Sequence, residues 1–153
     1  MWRQHAGVER ADWEGALRRF LSVADGTGIE WAVIGGVALA IRGVKAAAAT
    51  PDVDIITTPD GARQLNDLLR DSLTSPAVDL PKFGWFGRAF TGARLEWLGN
   101  DTHDHAWRFD YPWEEHEWEG RTLLVPSLEL YLKIEQSRGR IDRAQGIKAA
   151  LGS

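Results

Sequence analysis

Residues 31–56, WAVIGGVALAIRGVKAAAATPDVDII, decide how the rest of the chain is read. WAVIGG is an apolar run that reads as a short buried strand ending on Gly35 and Gly36. VALAIRG has the composition of a short helix, with Gly43 as its stop. VKAAAATP crosses back, and DVDIIT reads as a second strand. That strand is apolar except at its start, where Asp52 and Asp54 stand one residue apart. Alternation puts both side chains on one face, about 7 Å apart along the backbone. Two such carboxylates repel each other unless something positive lies between them. A divalent metal meets that need. Magnesium takes oxygen ligands, commonly one or two carboxylates together with substrate phosphates. A pair of metals about 4 Å apart also suits such carboxylates, for in-line displacement at phosphorus. Glycosidase chemistry fits less well, because its two carboxyl groups must face each other across a cleft.

Gly35 and Gly36 supply the other half of the pattern. Without side chains they let backbone amides approach a ligand closely, and a helix that starts there adds its positive end. Phosphate near Gly36 and metal near Asp52 would form one continuous triphosphate site. GGVALA has neither the dinucleotide-binding nor the P-loop spacing. Alone, a double glycine is more often a turn and an Asp-x-Asp is often solvent-facing. Their order and apolar surroundings give the pair its meaning.

Working outward, ADWEGALRRFLSV places Trp13, Leu17, Phe20 and Leu21 at helical spacing. Thr58, Pro59 and Asp60 form a helix start, and Leu65, Leu68, Leu69 and Leu73 form the predicted buried stripe. KFGWFGRAF and GARLEWLG read as a hairpin. HAWRFDYPW and EEHEWEGRTLLV read as further strands with a turn at EG. A helix is expected from Pro126 to Gly139, then a shorter one with Ile141, Ala144, Ile147 and Leu151 inward. The order predicts an α+β fold, a mixed sheet with helices packed on it, in one domain over residues 1–153 with its core at about 13–151.

The totals agree with this. The chain has 153 residues, 44% hydrophobic and 26% charged, with a net charge of −4 and no cysteine. Disulfides, thiolate zinc sites and cysteine nucleophiles are thereby excluded. The N-terminus is too polar for a signal peptide, and IGGVALAI is too short to span a membrane. A cytoplasmic protein without membrane contact is expected.

The strand, Gly-Gly, short helix and Asp-x-Asp strand resemble the signature of the polymerase-beta-like nucleotidyltransferases. GIEWAVIGGVALAIRG, TPDVDII and VPSLELYLKIEQSRGRIDRAQ are similar to the opening, metal-binding and closing segments of small bacterial nucleotidyltransferases of toxin–antitoxin and abortive-infection systems. The resemblance implies that Gly35 and Gly36 contact nucleotide phosphates, and that Asp52 and Asp54 hold magnesium, with two ions allowed for. It implies a third acid on a later strand. Glu96 is the candidate, facing opposite Leu95 and Trp97. Lys133 falls at a characteristic lysine. The family's arginine before the acids is replaced by Ala48, with Arg42 or Lys45 as the substitute, and the crossover from Gly36 to Asp52 is longer than the family's. Asp142 keeps one of two tail aspartates, and Gln145 replaces the other.

The implied reaction is magnesium-dependent transfer of a nucleotidyl group from a nucleoside triphosphate to an acceptor hydroxyl. RNA, a protein side chain and a small molecule such as an aminoglycoside remain open as acceptors, and a partner protein or second subunit is a way to present one. The rival reading is a decayed member of the fold that only binds, as an antitoxin would. His103, Asp104, His105 and His116 form a weaker metal candidate, best read as a solvent-facing loop. The aromatics from Trp85 to Trp118 suggest a stacking or docking surface. Lys82, Arg88 and Arg94 lie near the third acid, in reach of phosphates. Lys133, Arg138, Arg140 and Arg143 give the tail a basic side.

Overall fold

A computed structural model describes residues 12–43, 52–80, 84–99, 113–137, 139 and 141–152. Helix α1, Trp13–Ala24, starts where the Asp12 carboxylate accepts the Gly15 N–H at 2.7 Å. It buries Ala16, Leu17, Phe20, Leu21 and Ala24 along one stripe. Strand β1, Trp31–Ile34, runs straight into helix α2, Gly35–Ala40. Strand β2, Asp52–Thr57, leads to helix α3, Pro59–Leu68, whose Thr58 cap and Pro59 start follow the sequence reading.

Strands β3, Leu73–Leu80, β4, Gly84–Phe90, and β5, Arg94–Gly99, follow. With β1 and β2 they make a five-stranded sheet in the order β1-β2-β5-β4-β3. β2 and β5 run parallel, and the other neighbours run antiparallel. β6, Trp113–Trp118, and β7, Arg121–Pro126, form a separate hairpin. Glu119 and Gly120 both take positive φ, 49° and 78°, as a tight two-residue turn requires. Helices α4, Leu128–Ser137, and α5, Ile141–Gly152, close the described chain. The expected mixed sheet with packed helices is the fold observed.

Alternation decides what each sheet face does. Val53, Ile55, Leu95 and Trp97 are at most 1% exposed, in one cluster with Ala16, Leu17 and Phe20 of α1 and Ala62 and Leu65 of α3. Trp97 lies across its cross-strand partner Gly87, where a Cβ would stand 2.2 Å from the indole. The residues that alternate with them, Asp52, Asp54 and Glu96, therefore point to the other face.

Three expectations need correction. Leu73 does not extend the helical stripe of α3. It opens β3, a strand the sequence hid behind Thr74, Ser75 and Pro76. Proline has no N–H to give a ladder, so it is tolerated on edge strands. β3 is such an edge, and its pairing with β4 shifts register between Ser75 and Val78. Leu68 ends α3 43% exposed while its neighbours Leu65 and Leu69 are buried. Leu151 is exposed on the last turn of α5, whereas Ala144 and Ile147 are buried as expected.

Candidate active site

The site is built on the parallel pair β2–β5. Asp54 sits directly across from Glu96, and Asp52 across from Arg94. One oxygen from each of Asp52, Asp54 and Glu96 lies within 4.8 Å of the others. All three side chains are half-buried. Sequence alternation put them on one face; parallel pairing in this register puts them together.

The donor set suits a hard divalent cation. At about 2.1 Å per oxygen, ligands on one magnesium stand at most about 4.2 Å apart. With the three oxygens already within 4.8 Å of one another, a small side-chain rotation at most brings them onto one ion. Three negative charges at such distances also call for a cation in their midst.

The acids are not left to face one another alone. Arg88 of β4, the cross-strand partner of Glu96, donates from Nε to Glu96 at 2.7 Å. Arg94 Nε lies 3.7 Å from the buried Oδ1 of Asp52, beyond hydrogen-bond distance. Burial pushes the Asp52 carboxyl above its ordinary value and Glu96 pushes it further, while Arg94 and Arg88 pull it down.

Gly35 forms the wall on the β1 side. Its φ is +72°, and a Cβ there would stand 2.3 Å from Asp54 Oδ2. Only glycine lets the β1–α2 turn pass so close to the carboxylate. The hydroxyl of Tyr131 in α4 donates to the Gly35 carbonyl. Tyr131 is almost fully buried. Sequence reading passed over it, because a tyrosine on an apolar helix face looks like core. The contact joins residues 96 apart in the chain, so no local signal announces it.

The remaining sequence candidates are placed as follows. Gly36 is buried in the first turn of α2. Arg42 is turned to the β6–β7 hairpin, where it meets Glu114 at 2.7 Å. Lys133 is exposed on α4. It is two residues from Tyr131, and positions two apart on a helix do not share a face. Lys45, Ala48, Lys82, His103, Asp104, His105, Arg138 and Arg140 lie outside the described residues. His116 is half-buried, with Nε2 3.2 Å from the Ile41 carbonyl oxygen. Of the expected aromatic surface, Trp97 is core, and Trp113 and Trp118 pack against the core. Trp107, Phe109 and Tyr111 lie outside the described residues. Among the described residues, no helix is long and apolar enough to cross a membrane.

No family description and no curated protein matches the chain. Solved structures do. A provisionally assigned nucleotidyltransferase from Thermotoga maritima aligns over 94% of both chains, with 22% identity and a TM-score of 0.67. The lincosamide antibiotic adenylyltransferase LnuA, solved with lincomycin, aligns over 88% of this chain and 95% of its own, at 15% identity and a TM-score of 0.64. The antibiotic-resistance factor ANT(2″)-Ia aligns over 92% of this chain and 83% of its own, at 13% identity and a TM-score of 0.62. The chain thus shares the nucleotidyltransferase-type fold of these proteins.

Proposed function

We propose that this protein is a metal-dependent nucleotidyltransferase, taking a nucleoside triphosphate and transferring its nucleotidyl group to an acceptor hydroxyl. The observation behind this is the convergence of Asp52, Asp54 and Glu96 on the parallel strand pair, beside the Gly35 turn. Solved structures of the same fold add support, since those of LnuA and ANT(2″)-Ia include an adenylyltransferase and a complex with adenylyl-2″-tobramycin.

In this reading the acceptor oxygen bonds to the α-phosphorus and the bond from that phosphorus to the β-phosphate bridge breaks. Pyrophosphate leaves, the acceptor loses its proton, and no oxidant or reductant is required. Bound magnesium would neutralise charge on the phosphates and the departing pyrophosphate. Asp52, Asp54 and Glu96 would hold it beside the triphosphate. The glycine turn, with the Gly36 amide, receives the triphosphate side, and Lys45 is the candidate for its cation, since Arg42 is held by Glu114 and Lys133 stands off the Tyr131 face of α4. The resemblance in sequence pattern to toxin–antitoxin nucleotidyltransferases supports a setting where a partner protein or a second copy helps present the acceptor.

Isothermal titration of magnesium–nucleoside triphosphates tests the reading. The wild type is expected to bind, and the D52N/D54N variant to lose at least about tenfold in affinity. Equal binding by both, or none by the wild type at millimolar nucleotide, sinks it. One observation favours the second reading, a binding module without catalysis: Arg88 already neutralises Glu96. Tight complex formation with a partner, with no labelled nucleotide transferred to RNA, protein or small molecule, would decide for it.

A further inference from the structure

Away from the acid cluster, β1 and β7 lie side by side without pairing. Among the described strands, β1 is hydrogen-bonded only to β2 and β7 only to β6, so each has a free edge. Two clefts open where these strands start. One, of about 390 Å³, reaches from the last turn of α1 past Ile29 and Trp31 to Arg121. The other, of about 310 Å³, runs from Glu30 to Leu124. They share Ile29, Trp31 and Thr122 and so form one elongated groove. Trp31 pairs with Thr57, three residues along β2 from Asp54 and so about 10 Å away. Its ring meets Phe20 of α1 edge-on, with centroids 5.1 Å apart, on the sheet face opposite the acids. The groove is therefore a separate site.

The groove is apolar inside and acidic along its rim. Ile29, Trp31 and Leu124 line the interior, the last two half-buried. Asp25 and Glu30 are exposed on the β1 bank. On the other bank, strand pairing sets Leu124 beside Glu115 and Thr122 beside Glu117, and both glutamates are exposed. Among the described residues lining the groove, Arg121 is the one cation. Its Nη1 lies 3.8 Å from Asp25 Oδ2, too far to hydrogen-bond. Helix α1 ends here with no basic residue in its last turn, so the negative end of its dipole is not offset.

We propose that this groove docks an extended basic segment of a partner polypeptide, which adds along the free edge at the start of β1. A free strand edge is a template for one more strand: main-chain hydrogen bonds supply affinity, and alternate side chains supply specificity. In an extended segment, side chains alternate between two faces. Apolar residues on one face would fill the interior at Trp31 and Leu124, and lysines or arginines on the other would meet the rim. Charge complementarity selects this occupant. The carboxylates of Asp25, Glu30, Glu115 and Glu117 repel an acidic segment and a nucleic-acid backbone alike. A second copy of this chain, with its net charge of −4, would bring its own acidic hairpin against them. A compact small molecule would leave most of an elongated groove empty. The docked segment is clear of the acid cluster, so the site stands whether or not the protein transfers nucleotides.

The test is fluorescence anisotropy of the full chain with a labelled peptide of alternating lysine and valine. A glutamate–valine peptide and argininamide serve as controls. The lysine–valine peptide is expected to bind, less tightly as salt rises, and the glutamate–valine peptide is not. Trp31 packs on Phe20, so the exposed acids carry the test rather than the indole. The double variant E30K/E115K is expected to weaken the lysine–valine peptide about tenfold. Amide hydrogen exchange over residues 29–33 is expected to slow when that peptide binds. Equal affinity for the acidic peptide, unchanged affinity in E30K/E115K, or β1 amides that do not slow each overturn the proposal. So does a lysine–valine peptide that fails to bind at millimolar concentration. Argininamide binding as tightly as the peptide assigns the groove to a small cation, and a peptide-free dimer dispersed by E30K/E115K assigns it to a second copy; either result overturns the partner segment.

Discussion

At the scale of single residues, Gly35 and Asp54 are one unit. The missing side chain of one leaves the space that the carboxylate of the other occupies, and φ of +72° disfavours any side chain there. Magnesium binding to the native protein is expected to raise Tm; G35A is expected to destabilise the protein by about 1–3 kcal/mol and to abolish that rise, because Asp54 must move. A G35A protein with unaltered metal response would show that the turn does not set the carboxylate. Asp52 makes a different case. Its carboxyl is raised above the ordinary 3.8, first by burial, while its buried oxygen has Arg94 too far away to hydrogen bond. A raised carboxyl means the folded, metal-free protein holds this proton more tightly than the unfolded chain. That stability is fully present below the ordinary value and is lost as pH climbs through the raised one. D52N is therefore expected to show a higher metal-free Tm than wild type at neutral pH, with the difference vanishing in acid. Thermal melts in chelator across pH 3–8, a range set about that ordinary value, check this; parallel curves would refute it. Glu96 differs again, because Arg88 already offsets its charge, so E96Q should bring no such gain. Asp52 and Asp54 were legible from alternation; Glu96 was reached through the family resemblance, with alternation giving only its face. The arginine partners were legible only as neighbours of the third acid, since which acid each one serves depends on strand order.

At the scale of elements, the site depends on a helix that contributes nothing to the acid cluster. Tyr131 in α4 holds the Gly35 carbonyl and so ties α4 to the β1–α2 turn. Removing its hydroxyl leaves a part-buried carbonyl short of one donor, at a cost of about 1 kcal/mol. Y131F is expected to lower Tm accordingly and to weaken magnesium–triphosphate binding several-fold, although no atom of the side chain is placed on the ligand. Calorimetry and titration on the same sample check both; a drop in Tm without loss of affinity would mark the bond as purely structural. The strands were unequally legible. β1, β2 and β5 are rich in apolar or alternating residues and stood out. β3 did not, since an edge strand with Pro76 and a shifted register lacks both the composition and the regular period of a strand. The ends of α3 and α5 misled for a related reason: helical periodicity continues in sequence after the packing surface has run out, leaving Leu68 and Leu151 outside.

At the scale of the molecule, the net charge of −4 conceals a division of labour. Acids crowd the β6–β7 hairpin, where Arg18 binds Glu119 and Arg42 binds Glu114. The large sheet sets arginines from its own strands beside its acids. Composition averages over the two groups, whereas sheet order separates them. The pairing of β2 with β5 also has a consequence for how the protein comes to exist. Asp54 and Glu96 are 42 positions apart, and α3, β3 and β4 are made between them. β5 lies between β2 and β4, and loop closure over such a span is expensive before its contacts form. The acids meet only when this non-local pairing is in register, because a slip of one residue would send Glu96 into the core and Trp97 out. A nascent or misregistered chain thus has the sequence of the acid cluster without the cluster, and a metal ion bound at this position would register completed assembly of the sheet.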